Sequence, residues 1–259
     1  MTLVMRLAGT TFANPKMPIL ANDSLINGGT LACLDFANPN CNPLVGQTAP
    51  SGTDFTNLKP NALLATSNTS LGYSGGGLDF TYVGTAASYY IELGNSEYEL
   101  SLLATPPAAV AICWMKPDAN SGNNGAAFQK IRGTSFGTTN QPLSITGGPT
   151  VLKASMNRKS AEVFTGDTSL VPHQVGVAFY PADRYEFFID GTLHSTLATT
   201  DSVWADGSST PLRLSGAPDG NKQFTGVIYR AYFENLALSG NTALSVIQAD
   251  YAANSSRFT

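Results

Sequence analysis

The stretch from Pro172 to Tyr251 constrains the fold more than any other part of the chain. It begins PHQVGVAFYPADRYEFFIDGTLHSTLA, with apolar and polar residues alternating on both sides of Asp190-Gly191. Alternation at period two puts one set of side chains on a single face. Asp-Gly accepts the positive φ angles of a two-residue hairpin turn, so Arg184–Asp190 and Thr192–Leu197 read as its two arms. The segment TPLRLSGAPDGNKQFTGVIYRAYFENLALSG adds two more strands. After Ser239, which suits an N-cap, Leu244, Ile247, Gln248 and Tyr251 recur at helical spacing and predict one short helix.

The same pattern runs upstream. In Ala109–Met115 the large residues Val110, Ile112 and Trp114 alternate with Ala111 and Cys113. This separates large from small side chains on two faces, as a sheet packed on a partner sheet requires. Thr30–Phe36 reads as a strand ended by Asn38-Pro39-Asn40, and four prolines before Asn61 predict a long loop. Ala126–Arg132, Val151–Met156 and Ala161–Phe164 read as short strands between glycine-rich spacers. Residues 1–28 lack a helical stripe and contain Pro15 and Pro18, so they read as an extended apolar arm. Such an arm must lie against its own sandwich or against a neighbouring subunit. The fold class expected is all-β: an antiparallel β-sandwich over 29–259, with the arm in front and the helix at the end.

These residues carry a resemblance. The hairpin with its Asp-Gly turn and the following F-x-G-x-I strand resemble the end of a laminin G-like, concanavalin A-like lectin domain, a jelly-roll sandwich. GLDFTYVGTAASYYIEL and VAICWMKP are similar to the opening of such domains, and the likeness covers about residues 77–253. LACLDFANPNCNP with its proline-rich loop resembles tailed-bacteriophage virion proteins that carry a lectin-like domain. The resemblance implies a structural virion component of tail, fibre, baseplate or head surface, made in the host cytoplasm. Its partners would be other virion proteins and copies of itself, as a homo-oligomer. The alternative it implies is a carbohydrate-binding module that recognises host cell-surface glycan, as a phage adsorption protein or a bacterial lectin.

Charge and composition narrow the partners. Charged residues make up 12% of the 259 residues and the net charge is -4, with 14 Lys and Arg spread thinly, so no basic surface for nucleic acid is expected. No segment approaches the apolar length of a membrane span, so no membrane insertion is expected. The opening MTLVMRLAGTTF is broken by Gly9, Thr10 and Thr11 before a secretory core forms. With no such signal and three cysteines, Cys33, Cys41 and Cys113, free thiols are expected.

Glycan hydrolysis is the catalytic chemistry the resemblance first implies, because lectin-like sandwiches also carry β-glucanases. Those enzymes place acids as E-x-D-x-x-E on one strand. Here Glu97 and Glu99 share the spacing, but Leu102 stands where the acid/base glutamate belongs. His173 and His194 lack a nucleophile motif, zinc-ligand spacing is missing, and Gly75-Gly76-Gly77 precedes a strand, so no cofactor is expected. The chain is therefore not expected to be an enzyme. Asp201, Trp204 and Asp206 on one loop, with Asp219 and Asn221 on another, are the candidates for calcium, although Asp219-Gly220 suits a turn better. For a sugar, Trp204 and Asp206 are the candidate binding residues: an exposed indole stacks on a sugar ring, whereas a buried one would plug the end of the sandwich.

Overall fold

A computed structural model describes residues 23–60, 62–80, 89–94, 98, 100, 103, 105–119, 125–130, 142–205, 210–216 and 223–258. In chain order its strands are β1 (Thr30–Asp35), β2 (Asp54–Phe55), β3 (Ala65–Ser67), β4 (Gly72–Ser74), β5 (Gly77–Asp79), β6 (Ile91–Glu92), β7 (Ala109–Pro117) and β8 (Gly125–Lys130). They continue as β9 (Leu143–Gly148), β10 (Val151–Met156), β11 (Lys159–Thr165), β12 (His173–Tyr180), β13 (Arg184–Ile189), β14 (Thr192–Ala198), β15 (Arg213–Leu214) and β16 (Gly226–Asn235). Two helices follow, α1 (Leu236–Ser239) and α2 (Ala243–Asn254).

The strands form two antiparallel sheets, as the sequence pattern predicts. The first runs β14-β13-β12-β7-β16-β5-β4, with β1 also paired to β16; the second runs β11-β10-β9-β8-β15-β6-β3-β2. Between them lies one apolar core that includes Phe55, Phe128, Ile145, Phe179, Tyr185 and Phe187. Each large side chain removed from water there contributes about 1.5–3 kcal/mol. The Asp190-Gly191 hairpin forms as read, with φ of 46° and 76° at those residues. The Asp190 carboxylate also accepts from the Gln174 amide at 2.9 Å and meets His173 Nδ1 at 2.8 Å, which ties the turn to the neighbouring strand.

Three details differ from expectation. Val110, Ile112 and Trp114 do not face the partner sheet; they face a second apolar cluster under α2, while Ala109, Ala111, Cys113 and Met115 face the core. The inner space is already filled by aromatic rings from other strands, so the small side chains of β7 go inward. The helix begins at Ala243, capped by a Thr242–Ser245 capping box, because Gly240 in the left-handed region has already ended α1. Its buried face is Ala243, Val246, Ile247, Asp250 and Asn254, one position off the apolar stripe read from sequence. Finally, β2, β3, β4 and β9 have no counterpart among the strands expected from the sequence.

The second cluster closes the outward face of the first sheet around a buried ionic network. The fully buried Arg230 donates from Nε to Asp250 at 2.7 Å and from Nη1 to Asp23 and Asp35. Asp250 also accepts from Trp114 Nε1 at 2.6 Å and Gln174 Nε2 at 2.7 Å. Arg257 reaches Asp35 at 2.8 Å, and Trp114 stacks on Tyr251 at 5.6 Å. Through Asp23, Leu25 and Ile26, the last residues of the expected arm pack on their own sandwich; residues 1–22 lie outside the described residues.

Candidate binding face and cavity

On the second sheet, strand alternation separates two rows that run across the strands. Phe55, Ala65, Ile91, Leu214, Phe128, Ile145 and Ala154 point into the core. Their neighbours in sequence point the other way and fall in register from strand to strand. Asp54 lies opposite Thr66, Thr66 opposite Glu92, Glu92 opposite Arg213, and Arg213 opposite Gln129. Gln129 then lies opposite Ser144, Ser144 opposite Ser155, and Ser155 opposite Ser160. Every strand of this sheet contributes one polar residue. At about 4.8 Å per strand the row is roughly 34 Å long.

Exposure along the row is uneven. Asp54, Thr66 and Ser160 are exposed at the ends, whereas Gln129 and Ser144 at the centre are each only 1% exposed. Arg213 joins the two zones: it donates from Nη2 and Nε to Glu92 at 2.7 and 3.1 Å, and its guanidinium lies 4.1 Å over the Tyr90 ring. Arg213 Nη1, Gln129 Oε1 and Ser144 Oγ are all buried without a hydrogen-bond partner among the described residues. A buried polar atom left unpaired costs about 1–3 kcal/mol. Three on adjacent strands mark hydrogen-bonding capacity that folding does not use.

The loop singled out for sugar binding is placed differently. Trp204 is 6% exposed; its indole donates to the Pro107 carbonyl at 2.9 Å and meets the Phe179 ring edge-on at 5.0 Å. It packs as the plug at this end of the core. Asp206 lies outside the described residues, as do Glu97, Glu99, Asp219 and Asn221. Asp201 accepts from Tyr185 Oη at 2.8 Å; burial first, and then this bond, push the Tyr185 phenol up to about 12. Among the described residues no three His, Cys, Asp or Glu side chains converge as metal ligands. His194 is exposed, and the three cysteines are buried and free.

A second concavity opens beside the last strand of the first sheet. Thr69, Ser70, Leu71, Gly72, Asp79, Phe80 and Tyr89 line a cavity of about 430 Å³. Leu71 and Phe80 are core residues, whereas Asp79 points outward on β5, opposite Gly72 on β4. The charge of Asp79, after burial itself, contributes to pushing the phenol of Tyr229 up to about 12. Neither the row nor this cavity follows a compact sequence motif. The row joins residues from eight strands, each two to seven residues long, and only their register reveals it.

No protein-family model matches the chain. No curated protein matches it. Solved structures do. The sialidase of Trypanosoma rangeli superposes with a TM-score of 0.58 at 9% identity, covering 91% of this chain and 34% of that one. The same enzyme in complex with sialic acid gives 0.57 at 10% identity, with the same coverage. The binding domain of Paraclostridial Mosquitocidal Protein 1 gives 0.51 at 10% identity, covering 87% of this chain and 52% of that one. The chain thus spans about a third of the length of the sialidases and about half of the toxin domain. At these identities the likeness is one of fold, a lectin-like β-sandwich. It overturns the reading that the chain is not an enzyme: the fold occurs within sialidases, so a missing glucanase motif is no argument against enzymatic context. Neither the fold nor these neighbours supports the bacteriophage virion assignment.

Proposed function

We propose that this chain is a glycan-recognition domain, and that the outward polar row of its second sheet is the binding face. The observation that carries this reading is the run of three buried, unpaired atoms on β9, β8 and β15. Sugars offer closely spaced hydroxyl groups that donate and accept together. Ser144 Oγ and Gln129 Oε1 take such donors, and Arg213 Nη1 gives to a ring oxygen, a hydroxyl or a sugar carboxylate. The exposed ends at Asp54, Thr66 and Ser160 extend the face to a chain of several rings. Likeness to part of sialidases, one of them holding sialic acid, supports placing the domain in a glycan-processing setting.

The test is a glycan array carrying sialylated and neutral oligosaccharides, followed by titration calorimetry on the best binder. Arg213→Met keeps the apolar stem over Tyr90 and removes the donor. It is expected to weaken binding by roughly tenfold or more, the worth of one charged hydrogen bond of about 1.5–3 kcal/mol. Glu92 loses its partner at a 41%-exposed site, so the melting temperature should move little. An array without signal, or unchanged affinity in the variant, removes the proposal.

A further inference from the structure

Resting on the sheet-face reading, we infer that Glu92 and Arg213 act as one clamp for neighbouring hydroxyls of a neutral glycan, and that the face discriminates against acidic sugars. The pair crosses from β6 to β15, where Arg213 lies directly opposite Glu92. Nη2 and Nε of Arg213 both donate to the same oxygen, Glu92 Oε2, at 2.7 and 3.1 Å. The guanidinium is also held over the Tyr90 ring, 4.1 Å from its centroid. Each partner has one atom left over. Nη1 shares its carbon with Nη2 and is buried without a hydrogen-bond partner among the described residues. Oε1 shares its carbon with Oε2, on a side chain 41% exposed. One is a donor and the other an acceptor. Adjacent hydroxyls of a sugar ring answer both, one oxygen accepting from Nη1 while the next donates to Oε1. Because the ion pair and the Tyr90 ring already fix the guanidinium, little side-chain freedom is lost when the sugar arrives.

Charge sets the class of sugar. A free arginine attracts a carboxylate, but here the counter-charge is already in place at 2.7 Å. An acidic sugar must displace Glu92 or share the guanidinium with it, and two carboxylates on one cation repel each other. A hydroxyl demands no such exchange and bonds to the pair as it stands. The other described residues nearby supply no spare cation to offset the repulsion. Asp54 carries a further negative charge two strands away, opposite Thr66. Lys153, outward on β10, is itself bridged to Glu162 at 2.8 Å.

The experiment is an array of glycans matched in all but charge, probed with the whole chain. Oligomers of galacturonic, glucuronic and mannuronic acid are printed both as free acids and as uncharged methyl esters, with lactose beside 3′-sialyllactose. Titration calorimetry then measures both members of each pair that gives a signal. The neutral member is expected to bind about tenfold tighter or more. Glu92→Gln keeps the shape of the side chain and frees the cation, so the acid should gain about tenfold and the preference should vanish or reverse. Asp183→Asn removes a negative charge at a 57%-exposed position on a turn of the other sheet, and should leave the preference as it is. Thermal unfolding checks that each variant folds. If Glu92→Gln does not fold, salt decides on the parent: going from about 50 to about 500 mM NaCl should not weaken binding of the acid, because there is no net attraction to screen. A parent that binds the acid as well as the neutral member, or better, overturns the inference and leaves the sheet-face reading standing. So does a preference unchanged in folded Glu92→Gln, or binding of the acid that weakens with salt. An array on which neither acids nor neutral glycans give a signal removes the sheet-face reading and this inference with it.

Discussion

On the outward face of the first sheet, Arg230 is surrounded by Asp23, Asp35 and Asp250, and Trp114, Gln174 and Asn254 share the same carboxylates. On the outward face of the second, Arg213, Gln129 and Ser144 each keep a buried atom without a hydrogen-bond partner among the described residues. Both faces bury polar groups, but one does so under a helix that brings the partners with it. The first cluster is internally matched, with Arg230 Nη2 as its exception among the described residues. Stability explains the first pattern; it does not explain the second, where each unpaired atom lowers it. That asymmetry is the observation on which the proposed reading of the second face rests.

The comparison breaks most visibly at Asp250. Asp250→Ala removes the acceptor of Arg230 Nε, Trp114 Nε1 and Gln174 Nε2 at once, leaving a fully buried cation short of a fully buried counter-charge. Breaking a buried pair in this way costs about 3–5 kcal/mol, so denaturant unfolding should show a large drop in midpoint. If the variant unfolds within 1 kcal/mol of the parent (about the worth of one ordinary hydrogen bond), the matched-cluster account fails.

Asp23 offers a smaller, pH-dependent version. Burial alone would raise its carboxyl, but the charge and hydrogen bonds of Arg230 win and hold it below its ordinary value of 3.8. A depressed carboxyl stabilises the folded chain above the unfolded value and loses that contribution as pH falls through the folded one. Asp23→Asn is therefore expected to cost about 1–2 kcal/mol at neutral pH and to converge with the parent in acid below about pH 4. Parallel stability curves for the two proteins across that range would show that Arg230 does not engage this residue as an ion.

Much of the sandwich was legible because its signals are local. The Asp190-Gly191 turn, the alternation in His173–Tyr180 and Arg184–Ile189, and the strand at Val151–Met156 are each written in consecutive residues. Legibility fails where a partner distant in sequence decides. Asp250 and Asn254 look like the solvent side of a helix, yet both are buried because Arg230 lies beneath them. Trp204 sits in a polar loop and looks available, yet Phe179 and the Pro107 carbonyl hold it in the core. The polar row is harder still, since Arg213 is 84 residues from Gln129 and 121 from Glu92, and only strand register aligns them.

The finest test of the contrast is Ser144→Ala. On the matched face, removing a polar group takes away a bond; here the hydroxyl bonds to nothing while being 1% exposed. Deleting it releases the desolvation cost of one orphaned group, and the alanine Cβ keeps the backbone geometry of β9. Stability should therefore stay level or rise by up to about 1 kcal/mol, the low end of that cost. If the row binds glycan through this hydroxyl, affinity should fall by roughly three- to tenfold in the same variant, the worth of one neutral hydrogen bond. Gain in stability with loss of affinity is the signature of a binding face held ready in the fold. Loss of stability without change in affinity would mean that Ser144 has a partner within the folded chain, and the two faces would then differ only in degree.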